Sequence, residues 1–144
     1  MTKRTSNIFV TVDTIVFRKE GQETEILLIK RGRDPFQGKW AIPGGFVDFN
    51  EDLNTAASRE LEEETGLKDI KLKQLHTFGT PGRDPRGHMI SIVYWGMSKE
   101  NAHVTGADDA TEALWFPINE LPDLAFDHSQ IVEMAIKKLY SEPY

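Results

Sequence analysis

Two stretches near the start alternate between buried-type and polar residues in the manner of strands. Residues 8–17, Ile-Phe-Val-Thr-Val-Asp-Thr-Ile-Val-Phe, are rich in β-branched and aromatic types and stop at Lys19-Glu20-Gly21-Gln22. A second run of this kind covers residues 25–30, so two neighbouring strands are predicted. The Gly and Pro content of residues 31–39 marks a loop, followed by the short apolar piece Trp40-Ala41-Ile42 and a turn at Pro43-Gly44-Gly45. Residues 52–65 hold many helix formers and few breakers, with Gly66 placed for a left-handed C-terminal cap. Further strands are predicted at 70–78, 89–97 and 113–116, separated by loops at 79–87 and 98–110. Asp127 with Gln130 three residues on resembles a capping box, after which Ile131, Met134, Ala135 and Leu139 follow helical spacing. The elements predict an α/β fold with a mixed sheet, and no repeat or linker divides residues 1–144, so one domain is expected.

Composition narrows the class. At 144 residues, 39% hydrophobic and 28% charged, the chain reads as an ordinary globular domain. Met1-Thr2-Lys3-Arg4 has the charge of a signal-peptide start, but the apolar stretch after it is interrupted by Thr11, Asp13 and Thr14, so a cytoplasmic protein with no membrane partner is expected. Cysteine is absent, which leaves oxygen or imidazole as the donors for any metal. The net charge of −6 argues against a nucleic-acid partner and requires a local cation or arginines wherever an anionic substrate binds.

The run Glu60-Leu61-Glu62-Glu63-Glu64 reads first as a solvated helix face. Helical geometry changes that. At about 100° per residue from Glu60, Leu53, Ala57 and Leu61 fall near 20°, 60° and 100°, and Ala56 near −40°. Glu64 then lies at about 40° and Glu63 at about −60°, so Glu60 and Glu64 sit within the apolar stripe, Glu63 on its margin, and Glu62 points away with Thr55 and Ser58. Carboxylates gathered on a half-buried face repel one another and are costly to desolvate without a cation. Mg²⁺ or Mn²⁺ suits an all-oxygen site, with Arg59 beside it and the Gly44-Gly45 turn open to close backbone approach.

Gly45, five residues, Glu51, seven residues, then Arg59-Glu60-Leu61-Glu62-Glu63-Glu64-Thr65-Gly66-Leu67 resembles the complete signature of the Nudix hydrolases. The resemblance implies an α/β/α sandwich in which the signature forms a loop, helix, loop element over a central mixed sheet. It also implies a metal site of Glu60, Glu63, Glu64 and the Gly44 carbonyl, with Arg59 orienting the carboxylates, and hydrolysis of a nucleoside diphosphate linked to another moiety. The catalytic base is either a signature glutamate or an acid outside it, for which Glu112 and Asp109 are candidates.

Between two predicted strands stands Gly79-Thr80-Pro81-Gly82-Arg83-Asp84-Pro85-Arg86-Gly87-His88. Arg83 or Arg86 is a candidate clamp for phosphate or ribose oxygens and His88 a candidate hydrogen-bonding partner; the competing reading is a rigid turn stabilised by an internal Arg and Asp84 pair. This segment, with residues 35–47 and 124–128, resembles the short ADP-ribose pyrophosphatase branch, which implies ADP-ribose as substrate. Phe36, Trp40, Phe46 and Phe126 are candidates to stack on the base, against the plainer reading of core packing. Arg31, Arg33 and Lys39 are candidates to draw in the diphosphate, against that of solvated surface charge. The alternatives are a nucleoside triphosphate clean-up enzyme and a non-catalytic ADP-ribose sensor, since some similar proteins are regulators with an added winged-helix domain. A homodimer through the strand at 8–17 is the expected assembly.

Overall fold

A computed structural model of the chain describes residues 6–142, so the amino-terminal Met1-Thr2-Lys3-Arg4 lies outside the described residues. The first apolar run becomes β1 (Ile8–Glu20), which turns at Gly21, with φ of 64°, into β2 (Glu23–Arg31). The positive φ explains why β1 runs three residues past the predicted end: glycine allows a two-residue reversal without strain, so the ladder continues to Glu20 opposite Glu23. Next come β3 (Trp40–Ala41), β4 (Gly44–Phe46), α1 (Leu53–Thr65), β5 (Lys73–Phe78), β6 (His88–Met97), β7 (Ala110–Pro117) and α2 (His128–Ser141). Among the described residues these strands form one mixed sheet in the order β3-β2-β1-β6-β5, with β4 added to β1 and β7 to β2; β1 and β6 run parallel. No helix among the described residues is long and apolar enough to cross a membrane.

Strand alternation sorts the core into two layers. Ile15, Phe17, Ile26, Leu28, Val93 and Trp95 face α2 and pack on Ile131, Val132 and Ala135. Val12, Val16, Leu27, Ile29 and Tyr94 face the other way, toward Ala56, Ala57 and Leu61 of α1. The result is the helix, sheet, helix sandwich that the family resemblance implies, with the mixed sheet that the segment order predicts.

Four local departures have physical causes. The expected turn at Gly44-Gly45 is instead the short strand β4, paired antiparallel to β1 with Asp13 opposite Gly44 and Val12 opposite Gly45. A Cβ at Gly44 would meet the Asp13 carboxylate and the Val12 carbonyl at 2.2 and 2.3 Å, so only glycine permits this approach. The predicted strand at 70–78 begins only at Lys73. Asp127 makes no side-chain cap to α2, because both its oxygens are held by the guanidinium of Arg83 at 2.8 Å. Met134 is on the exposed side of α2, where Val132 takes the buried position. At α1 the C-terminal cap forms as read, Gly66 at φ of 75° returning its amide to Glu62, and Asp52 caps the other end by accepting from the Asn54 amide.

Candidate functional site

The acidic helix and the β4 glycines meet at one end of the sheet. Glu64, buried at 5% exposure, accepts the Gly44 amide at 2.7 Å. Burial, with Glu60, Asp13 and Asp109 close by, pushes its carboxyl up to about 8 against the pull of that hydrogen bond. Burial also raises the Glu60 carboxyl, with Arg59 opposing. Gly45 lies directly beneath Glu60, where a Cβ would stand 2.5 Å from its carboxylate carbon. Arg59 gathers the rest: its guanidinium takes Glu51 in a two-pronged pair at 2.7 and 2.9 Å, and reaches Glu60 at 2.8 Å, Glu63 at 3.1 Å and the Phe46 carbonyl at 3.0 Å. That pairing draws the Glu51 carboxyl down to about 2.

A single arginine therefore serves four signature acids less one, since Glu64 takes no part in its network. Among the described residues no three acids or imidazoles converge into a ready metal cage. Glu60 and Glu64 do line the same cleft, and the backbone of Gly44 and Gly45 runs between them. A buried and a half-buried carboxylate, both raised by burial, on a glycine cradle that excludes any side chain, form a donor set suited to a hard divalent cation. Glu63 stands apart, exposed on the rim and paired with Arg59.

The opposite wall carries the other charges. Arg83, only 7% exposed, binds Asp127 through Nε and Nη2 and gives a third bond from Nη1 to Ser91 at 3.0 Å. Asp84 is buried and takes Arg86 through its side chain at 2.8 and 3.1 Å and its amide at 2.9 Å, which is the internal pair of the competing sequence reading. The Arg86 guanidinium also lies 5.4 Å from the centre of the Phe46 ring and 5.3 Å from that of Phe126. Phe126, at φ of 52°, packs edge-on against Phe36 at 4.7 Å and carries Arg31 at 5.0 Å. Its position follows from the chain just before it: the Ala125 amide bonds the Trp40 carbonyl at 2.8 Å, adding residue 124 beside β3.

Gly44, Glu60, Glu64, Arg33, Phe46, Arg83, Asp84, Arg86 and Phe126 thus line one cleft, with Asp109 among them. Arg59, Glu63 and Phe36 are not among its lining residues but stand at its edge, Arg59 paired with Glu60 and Glu63 and Phe36 packed on Phe126, and four more expected residues do not reach it. Glu112 faces outward on β7 and pairs with Lys30 at 3.5 Å, the side opposite that of its buried neighbour Ala113. Lys39 borders a separate groove beside α2, and Trp40 packs on Phe116 at 4.8 Å. His88 closes its own loop through the Gly79 carbonyl at 3.0 Å. Sequence reading did not single out Thr11, Asp13, Ser91 or His128, all of which line the cleft. Asp13 carried a signal, as an acid inside an apolar strand run.

Comparison with known proteins agrees with this geometry. The family model described as NUDIX domain matches residues 8–135. The ADP-ribose pyrophosphatase of Methanocaldococcus jannaschii is 44% identical over 124 residues, covering 86% of this chain and 70% of its own length. The NUDIX domain of Shewanella oneidensis NrtR complexed with ADP ribose is 31% identical with a TM-score of 0.88, over 94% of this chain and 90% of that one. NrtR of the same organism complexed with a 27mer DNA is 31% identical with a TM-score of 0.80; the match covers 92% of this chain, which spans 63% of that protein. This last finding overturns the expectation that nucleic acid is excluded as a partner. A net charge of −6 is a sum over the chain and does not describe the local field at any one surface, which is why it cannot exclude such a partner.

Proposed function

The chain belongs to the NUDIX domain family, and from that premise we propose that it hydrolyses ADP-ribose with one water to AMP and ribose 5-phosphate. The observation that carries this reading is the cleft itself, where Glu60 and Glu64 stand on the Gly44-Gly45 backbone opposite Arg83, Arg86 and the rings of Phe46 and Phe126. Family members generally use a divalent metal; here Mg²⁺ or Mn²⁺ would be held by Glu60, Glu64 and the Gly44 carbonyl, with Glu63 approaching from the rim. Such an ion, when bound, supplies neutralisation of the diphosphate oxygens and activation of a water. Arg59 orients the acids through its bonds to Glu51, Glu60 and Glu63. Arg86 and Arg33 face the cleft as partners for phosphate oxygens, the first by leaving Asp84 and the second by leaving Asp109. Phe46 and Phe126 offer faces to a flat base, a role the Arg86 guanidinium fills between them. With Glu112 outside the cleft, the base is a signature glutamate or Asp109. A cytoplasmic location and a homodimer through the exposed Ile8, Phe9 and Val10 of β1 complete the proposal, checked by fractionation and light scattering.

The test is AMP release from ADP-ribose and Mg²⁺ by the purified protein, with Glu64→Gln alongside. Release that the variant loses while staying folded supports the reading; faster pyrophosphate release from nucleoside triphosphates overturns the substrate. A second reading, binding without hydrolysis, is favoured by the likeness to the ADP-ribose-bound domain of NrtR. Saturable ADP-ribose binding with no AMP formed would decide for it.

A further inference from the structure

Two buried groups in the cleft have no part in the reaction as described. Asp13 and His128 are 7% and 6% exposed and both line the cleft on the α2 side of the sheet. Each is tied to the same short piece of backbone: Asp13 lies opposite Gly44 in the β1–β4 ladder, and the Ile42 amide donates to Nδ1 of His128 at 3.0 Å. The two anchors, Ile42 and Gly44, flank the bend at Pro43.

The bond from Ile42 decides the tautomer of His128. A ring nitrogen that accepts an amide hydrogen carries none of its own, so in the neutral ring the hydrogen is on Nε2. Burial, with Arg83 and Arg31 nearby, pushes the imidazole down to about 3 against the pull of Asp127 and Asp84, which keeps it neutral. Nε2 has no hydrogen-bond partner among the described residues and is not sealed from solvent, so it stands at the cleft as an uncharged donor. Asp13 is its counterpart. The Ser91 hydroxyl stands near it, and the nearby Arg83 is committed to Asp127 and Ser91, so oxygen lone pairs of Asp13 remain for a ligand.

An acceptor and an uncharged donor lining one cleft select among ligand groups. Neither group offers a phosphate a free cation, and an ammonium gains nothing from His128. A hydroxyl gives its hydrogen to one and accepts from the other, and the Thr11 and Ser91 hydroxyls, 2.6 Å apart beside Asp13, extend the same chemistry. We propose that Asp13 and His128 form a hydroxyl-recognition subsite that holds the sugar attached beyond the diphosphate, leaving the faces of Phe46 and Phe126 to the base. This rests on the ADP-ribose reading above and assigns a residue pair to the part of the substrate that distinguishes it from ADP.

The test uses protein carrying Glu64→Gln, so that ligands are bound without turnover, and calorimetric titration in Mg²⁺ with ADP-ribose and with ADP. Asp13→Asn and His128→Asn are added singly; the asparagine oxygen at 128 can still accept the Ile42 amide but offers nothing in place of Nε2. Each is expected to weaken ADP-ribose about tenfold without weakening ADP. Equal weakening of both ligands, or none, overturns the subsite. A circular-dichroism melt accompanies each variant, and if His128→Asn melts early the Asp13→Asn result decides alone. Should the Glu64→Gln protein not bind ADP-ribose and the unaltered protein release no AMP from it, the function proposed above falls and the subsite with it. AMP release without loss of discrimination in the variants would overturn the subsite only.

Discussion

The wall built on α1 draws its acids from one stretch of chain, Glu60 to Glu64, whereas the opposite wall assembles Asp13, Arg83, Ser91, Asp127 and His128 from β1, the 79–87 loop, β6 and the start of α2. On the opposite wall the charges close on one another: Arg83 with Asp127, Arg86 with Asp84. On the α1 wall Arg59 satisfies Glu51, Glu60 and Glu63, and Glu64 is left with one amide hydrogen and a carboxyl raised to about 8. The contrast separates two uses of buried charge. Paired charge fixes the positions of loops, and unpaired charge of one sign marks where a cation from outside lowers the energy.

Substitutions on the two walls should therefore fail in different ways. Glu64→Gln is expected to cut AMP release on the order of a thousandfold with the melting temperature held or raised, as read by turnover beside a thermal melt. If stability falls with activity, the two walls do not differ as described. Arg83→Ala should act on the fold, leaving Asp127 buried without its partner at a cost of about 3 kcal/mol in denaturant unfolding. Arg83→Lys should restore little, since one ammonium does not replace a two-pronged pair. Gly45→Ala places a methyl against the Glu60 carboxylate, a flexible side-chain end that can yield; activity should fall about a hundredfold while stability changes little.

The remaining effect is on stability against pH. In chelator, the folded protein holds a proton on Glu64 up to about 8, whereas the unfolded chain releases it near 4.5. Between those values raising the pH favours the unfolded chain, so melting temperature should decline from about pH 5 to pH 8. Asp13, raised by burial to about 7, adds the same sign. Glu64→Gln should flatten the decline, and Mg²⁺ should oppose it; an unchanged slope in the variant would assign the effect to other groups.

Legibility follows the same division. The helix at 52–65, its glycine cap and the inward turn of Glu60 and Glu64 were readable because helical contacts lie three or four residues apart. The capping box at Asp127 was misread because its carboxylate has two suitors, and the one that wins, Arg83, is 44 residues away. Glu112 was misplaced for a related reason: strand alternation says that neighbours face opposite sides without saying which side meets the cleft.

The amino-acid order alone determined the class of fold, the two-faced strands and the signature acids on one helix stripe, since each depends on periodicity and short-range sterics that a linear pattern carries. Tertiary structure alone decided that Arg83 ties a loop to α2 and that Phe126 and Phe46 flank Arg86. It likewise decided that Asp13 and His128 share the backbone of residues 42–44. Those pairings join residues up to 86 positions apart, and which partner a polar group finds across such a distance is set by how the sheet and helices pack.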